Sequence, residues 1–238
     1  MIKLGNLEIG EKTHIVGVIP GEKFLKEVTN TTIDILELRI DRFDNLEPNF
    51  LIETIKDLRK KTTLPLLATI RRKEETDFKP PKHILSEKER LNLFKQVIPF
   101  VDGVDIELQA KEIISPVINF AKGKKKTLII SYHNFKETPG NEKLGIIVKE
   151  AKRKGADIVK IATYAKNIDD VARLMCFTYQ CSQKPLVSIS LGKIGSISRI
   201  IGSVFGSCLT YAFLDESKNG QLSIKELVDT INRIYERR

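Results

Sequence analysis

The sequence predicts an α/β fold in which residues 1–238 form a single (β/α)8 TIM barrel, and three observations carry that expectation. Eight short apolar, β-branched runs recur along the chain. Stretches with helical periodicity and charged faces separate them, and 238 residues suffice for one barrel with a full core. The runs are HIVGVI from residue 14, ILELRI from 35, PLLATIR from 65, GVDIEL from 103, TLIISYH from 127, IVKIAT from 158, PLVSISL from 185 and SCLTYAF from 207. Their starts lie 21 to 38 residues apart, which matches one strand, one helix and two loops.

Ahead of the first run, Gly5 and Asn6 supply a turn between two short apolar pieces, so a short N-terminal hairpin is expected to close the barrel floor. The connecting segments read as helices for local reasons. In SEKERLNLFKQVI, Ser86 and Glu89 make a capping box, and Leu91, Phe94, Val97 and Ile98 share one apolar face. NEKLGIIVKEAKRKG carries a similar stripe, with Gly155 placed to end it. SIKELVDTINRIYERR begins on a Ser223 cap and turns Leu227, Ile231 and Ile234 inward.

Hydrophobic residues make up 41% and charged residues 30%, with no apolar run long enough to span a bilayer, which reads as a soluble globular chain. The opening MIKLGNLEIGEK lacks the apolar block of a secretory signal, so a cytoplasmic location is expected. A net charge of +9 points either to an anionic partner or to a Lys-rich solvated surface. The basic residues are interleaved with acidic ones, KGKKK at 122–126 is the only dense block, and no nucleic-acid module is present. Neither nucleic acid nor membrane is therefore an expected partner. Abundant Lys and Glu with no Trp fit a thermophilic source. Cys176, Cys181 and Cys208 match no zinc spacing and are too few for a disulfide scaffold, so they are expected reduced and partly buried.

One stretch competes with the barrel reading. In DESKNGQLSIKE, Asp215, Ser217, Asn219, Gly220 and Glu226 fall at the liganding and turn positions of a calcium loop. Such a loop sits between two helices, whereas the residues before Asp215 read as a strand. In a barrel the segment becomes the eighth strand-to-helix connection, at the mouth where active sites lie.

Parallel barrel strands are normally apolar throughout, so charges near their ends require a reason. Glu37 and Arg39 alternate in ILELRI and face one side, as do Asp105 and Glu107 in GVDIEL. Glu37 and Arg39 either pair with each other or hold a ligand. Arg71 ends the third run, His133 the fifth, and Lys160 lies between Val159 and Ile161 in the sixth. A desolvated lysine amine approaches the range where it is a nucleophile at neutral pH. With a histidine ending the adjacent strand, Schiff-base chemistry is favoured over a structural ion pair. Arg199, in the Gly/Ser stretch LGKIGSISRIIG, is placed to fork onto a carboxylate or phosphate. GSISR has neither P-loop nor dinucleotide spacing, and an imine supplies its own electron sink, so no cofactor and no metal are expected.

Seven segments in order, ELRID at 37–41, TIR at 69–71 with Glu75 beyond it, DIEL at 105–108, SYHNF at 131–135, VKIA at 159–162, GSISR at 195–199 and NGQLS at 219–223, together resemble type I 3-dehydroquinate dehydratase over nearly the whole chain. The resemblance implies a barrel lyase of the shikimate pathway to aromatic amino acids, converting 3-dehydroquinate to 3-dehydroshikimate and water. It implies that Lys160 forms the imine, that His133 is the general acid and base, and that Glu75 orients His133. Glu37, Arg39 and Arg71 would hold ring hydroxyls, Arg199 the carboxylate, and Ser217 and Gln221 the carboxylate end from the closing eighth loop. Asp105 and Glu107 would support these groups from behind, and a homodimer is implied. The chain departs from the family pattern at Ile189 and Leu191, where methionines are common, at Tyr211, where phenylalanine is usual, and at Thr76 and Asp77, where glycines are frequent. A class I aldolase, which also uses a barrel lysine, is the rival enzyme reading, but the sequence shows a carboxylate arginine more readily than a phosphate nest. A calcium- or RNA-binding protein is the rival outside enzymes.

Overall fold

Two short strands, β1 (Ile2–Leu4) and β2 (Leu7–Ile9), open the chain in a computed structural model that describes residues 2–26, 32–76, 82–213 and 223–234. Eight further strands follow: β3 (His14–Ile19), β4 (Ile35–Arg39), β5 (Leu66–Thr69), β6 (Gly103–Glu107), β7 (Thr127–Asn134), β8 (Ile158–Tyr164), β9 (Leu186–Leu191) and β10 (Leu209–Phe213). Between them lie α1 (Pro48–Lys61), α2 (Glu87–Val97), α3 (Ile114–Gly123), α4 (Asn141–Lys154), α5 (Ile168–Gln180) and the short α6 (Ser198–Ile201), and α7 (Ile224–Ile234) follows β10. All eight predicted runs are strands.

The eight strands form one parallel sheet in the order β10-β3-β4-β5-β6-β7-β8-β9. The Cys208 N–H donates to the Leu186 carbonyl at 2.9 Å and brings the two edges together, so the sheet closes into a barrel. Strand residues alternate between two faces. Val16, Ile35, Leu67, Ile129, Ile158, Val187 and Leu209 pack in one cluster inside the ring, while Ile15, Leu36, Leu66, Val104, Leu128, Val159 and Leu186 pack against the helices. Burial on both faces explains why the strands read as continuous apolar runs.

The N-terminal hairpin closes the floor as expected. Gly5 takes φ +59 at its turn, a conformation that glycine adopts without a Cβ clash. Leu4 plugs the ring against Gly103, where an added Cβ would stand 2.6 Å from the Leu4 Cδ1. His14 Nε2 meets the Glu8 carbonyl at 3.0 Å, and the Thr127 hydroxyl donates to the Lys3 carbonyl.

Helix ends follow the expected chemistry. Ser86 Oγ accepts the Glu89 N–H at 3.3 Å while Glu89 Oε2 accepts the Ser86 N–H at 2.7 Å. Gly155 ends α4 with φ +97. Three expectations need correction. On α2 the buried face is Arg90, Leu93, Phe94 and Val97, with Leu91 only half-buried. On α7 burial stops at Ile231, and Ile234, the last helical residue, is 55% exposed. Cys176 is exposed because it lies off the buried stripe of α5, Cys181 is half-buried, Cys208 is buried, and all three are free. Among the described residues no helix is long and apolar enough to cross a membrane.

Candidate active site

Inward-facing residues near the C-terminal ends of the strands line one open pocket. Its polar lining is Glu37, Arg39, Arg71, Glu75, His133, Lys160, Arg199 and Tyr211, and its apolar wall includes Ile189 and Leu191. Of the sequence-predicted charges, Glu37, Arg39, Arg71, Glu75, His133, Lys160 and Arg199 therefore line one cavity, at the barrel face where strand-to-helix loops gather, while Asp105 and Glu107 do not line it.

Lys160 is buried at the centre. Its Nζ lies 3.0 Å from Asp105 Oδ2, 3.7 Å from Glu37 Oε1 and 4.0 Å from the centroid of the Tyr211 ring. Asp105 is fully buried. Burial opposes its ionisation, but the charges of Arg71 and Lys160 and the Ser131 hydroxyl hold its carboxyl well below the usual range. A permanent carboxylate thus faces the amine. Burial, reinforced by Glu37 and Asp105, pushes the Tyr211 phenol well above its ordinary value, so a neutral ring packs on Lys160.

His133 stands one inward-facing position further toward the mouth, since Ser131 pairs with Lys160 and His133 with Ala162 in the β7–β8 register. Both its backbone N–H (3.1 Å) and its Nδ1 (2.9 Å) meet Glu75 Oε2. With Nδ1–H donating to that oxygen, Nε2 is left as the basic nitrogen. Burial, then the charges of Arg71 and Lys160, lowers His133 well below its ordinary value and keeps the ring neutral. Burial, then the nearby Glu107 charge, raises Glu75 to about 8. Phe135 stacks on the imidazole with centroids 6.2 Å apart. Glu75 reaches His133 from the 3-10 turn Lys73–Glu75, although Thr76 replaces a common glycine; Asp77 lies outside the described residues.

Glu37 and Arg39 do not pair with each other. Glu37 accepts the Thr69 hydroxyl at 2.6 Å, while Arg39 forks onto Asp41 through Nε (3.0 Å) and Nη2 (2.8 Å). The same Asp41 accepts the Arg71 N–H at 3.1 Å. Arg71 lies two residues beyond β5 rather than in it, and its Nη1 is shared among Asp105 (3.0 Å), Glu107 (3.1 Å) and the Ser131 hydroxyl (2.9 Å). Glu107 faces Arg71 and Arg90 rather than the cavity.

Arg199 is 4% exposed. Its Nη1 makes only a long 3.4 Å contact with the Ser190 carbonyl, its Nε has no partner, and it forms no ion pair among the described residues. Burial pushes it down to about 10, which leaves it charged at neutral pH. A buried cation on the wall of a cavity, with no countercharge among the described residues, has the chemistry to take an anionic ligand.

Ser217 and Gln221 lie outside the described residues. Glu226, the last position of the calcium pattern, serves instead as a cap: its carboxylate accepts the Ser223 N–H at 2.9 Å and its N–H donates to Ser223 Oγ at 3.2 Å. The segment follows a strand, β10, not a helix. Among the described residues, no cluster of three or more His, Cys, Asp or Glu side chains is arranged to hold a metal.

Sequence reasoning missed four contributors. Asp41, Thr69 and Ser131 lay within segments already singled out, and Thr69 and Ser131 are polar groups on barrel strands, a usable signal, whereas Asp41 lies in the 3-10 turn after β4. Arg90 gave none, because an arginine on a helix reads as solvated.

Comparison with known proteins adds a separate line of support. The family model described as type I 3-dehydroquinase matches residues 21–238. A 3-dehydroquinate dehydratase from a Hydrogenobaculum species is 38% identical over 203 residues, covering 85% of this chain and 89% of the relative. One from Aquifex aeolicus is 36% identical over 212 residues, covering 89% and 92%. The crystal structure of the type I enzyme from Clostridium difficile, carrying covalently modified comenic acid, superposes with a TM-score of 0.90 at 31% identity, covering 98% of this chain and 96% of that one.

Proposed function

Because the chain belongs to the type I 3-dehydroquinase family, we propose that it is a hydro-lyase that converts 3-dehydroquinate to 3-dehydroshikimate and water through an imine on Lys160. The observation that carries the reading is the meeting of three groups in one pocket: a buried amine, a neutral imidazole on the adjacent strand, and an arginine with no countercharge among the described residues. Lys160 attacks the ring ketone and water leaves as the imine forms. His133 Nε2 takes a proton from the neighbouring carbon, and the protonated imine accepts the electron pair. His133 then returns the proton to the departing hydroxyl, and water hydrolyses the product imine to free Lys160. The reaction draws its electron sink from the lysine itself.

In this reading Arg199 holds the substrate carboxylate, and Glu37, Arg39 and Arg71 meet ring hydroxyls. Glu75 orients His133, and Asp105 and Glu107 hold the charged groups behind. Ser217 and Gln221 close on the carboxylate end. Residues 1–238 act as one catalytic domain, in the cytoplasm and as a homodimer, in the shikimate pathway. The test is direct. Product formation is followed in the near ultraviolet, where the new double bond conjugated with ketone and carboxylate absorbs. Absorbance that rises with 3-dehydroquinate and not with sugar phosphates is expected. Cleavage of a sugar phosphate instead would move the chain to aldolase chemistry.

A further inference from the structure

Arg90 sits on α2, outside the strands, yet it is 1% exposed, and no step of the proposed reaction uses it. Its Nε and Nη2 donate to the Ile70 carbonyl at 2.9 and 2.7 Å. Nη2 also meets Glu107 Oε2 at 2.5 Å, and Nη1 meets Glu87 Oε1 at 2.5 Å. Ile70 immediately precedes Arg71. Glu107 Oε1 in turn accepts from Arg71 Nη1 at 3.1 Å and from the Arg72 N–H at 3.0 Å. Arg90 therefore grips the segment that carries Arg71 twice, through the backbone before it and through the carboxylate facing its side chain.

From Arg90 inward the charges alternate in sign. Arg90 meets Glu107 at 2.5 Å, Glu107 meets Arg71 at 3.1 Å, Arg71 meets Asp105 at 3.0 Å and Asp105 meets Lys160 at 3.0 Å. All five side chains are buried. A buried ion that loses its partner keeps its desolvation cost and seeks another. Without Arg90, Glu107 faces Arg71 as its one cation, and Arg71 Nη1 is already shared with Asp105 and Ser131. Competition for that nitrogen displaces Arg71 and loosens Asp105, the carboxylate that holds the amine.

We infer that Arg90 is a positioning residue for the reaction: by anchoring Glu107 and the Ile70 carbonyl it keeps Arg71, and through Asp105 the Lys160 amine, where the chemistry needs them. The inference rests on the site reading given above. An arginine that only fastened α2 to the barrel would alter stability and leave turnover per folded site unchanged.

The experiment compares kcat, KM and thermal midpoint for Arg90→Lys, Arg90→Met and the double variant Arg90→Met/Glu107→Gln, all assayed well below their midpoints. Active sites are counted by borohydride-trapped mass on Lys160. Arg90→Met is expected to lose about 10-fold or more in kcat, with KM moving less, because misplacement acts on the reacting geometry. Arg90→Lys keeps the charge without the fork and falls between. The double variant recovers several-fold over Arg90→Met, since the unpaired carboxylate is gone. A kcat in Arg90→Met, or in Arg90→Lys should Arg90→Met not fold, that falls less than about threefold overturns the inference. Failure of the site reading is seen separately, as wild-type enzyme that turns over substrate with no adduct on Lys160.

Discussion

Asp105 and Lys160 meet inside the barrel at 3.0 Å, with the Tyr211 ring 4.0 Å from the same amine. A carboxylate on β6 and an aromatic face on β10 thus hold one nitrogen from two sides, at the level where the pocket begins. Lys160→Ala removes the nucleophile and leaves Asp105 paired with Arg71. The expected outcome is a folded protein with no imine and no measurable turnover. Near wild-type turnover would take the lysine out of the mechanism.

His133→Ala keeps Lys160 and its surroundings. The variant should still form the imine with 3-dehydroquinate, yet turn over slower by about 10² to 10⁴, the usual contribution of general acid–base catalysis. Trapped adduct and steady-state rate, measured on one sample, separate the two steps. An unchanged rate would assign the proton transfers elsewhere.

Arg199 carries a charge with no counterion among the described residues, so its presence costs stability that only a bound anion repays. Arg199→Leu is expected to unfold at a higher temperature than wild type and to lose about 10- to 100-fold in kcat/KM, the worth of charge-assisted hydrogen bonds to a carboxylate. Calorimetric melting and initial rates decide it. A variant that melts lower and binds as well as wild type would show that Arg199 is structural.

Glu75 gives a pH signature whose sign follows from its environment. Burial and the Glu107 charge raise it from 4.5 to about 8, so between those values the folded protein binds a proton that the unfolded chain has released. Stability from this group is therefore present at acid pH and lost as pH rises through about 8. His133 works in the opposite sense: its value is lowered by burial, so its contribution is lost as pH falls below the ordinary imidazole range. Glu75→Gln removes the first slope alone. The melting temperature of the variant should gain on wild type as pH goes from 4.5 to 8, and a constant difference would contradict the raised carboxyl.

The barrel was legible because burial on both faces of a parallel strand leaves an uninterrupted apolar run, as in TLIISYH of β7. Lys160 and His133 were legible for the complementary reason, that polar groups inside such runs need a purpose. Pairing was not legible. Arg39 turned to Asp41, equally near in sequence, in the 3-10 turn after β4, and Glu37 turned to Thr69 across the β4–β5 pairing, so nearness in sequence did not select the partner. Arg90 escaped for a related reason: its helix face looked solvated, and the partners that bury it, Glu107 on β6 and the Ile70 carbonyl beyond β5, are distant in sequence.

The measurement that tests the central claim most directly is intact mass after mixing the protein with 3-dehydroquinate and sodium borohydride, followed by peptide mapping. The account predicts one stable ligand adduct per chain, on Lys160. A folded, active sample with no adduct, or with the adduct on another lysine, would contradict it.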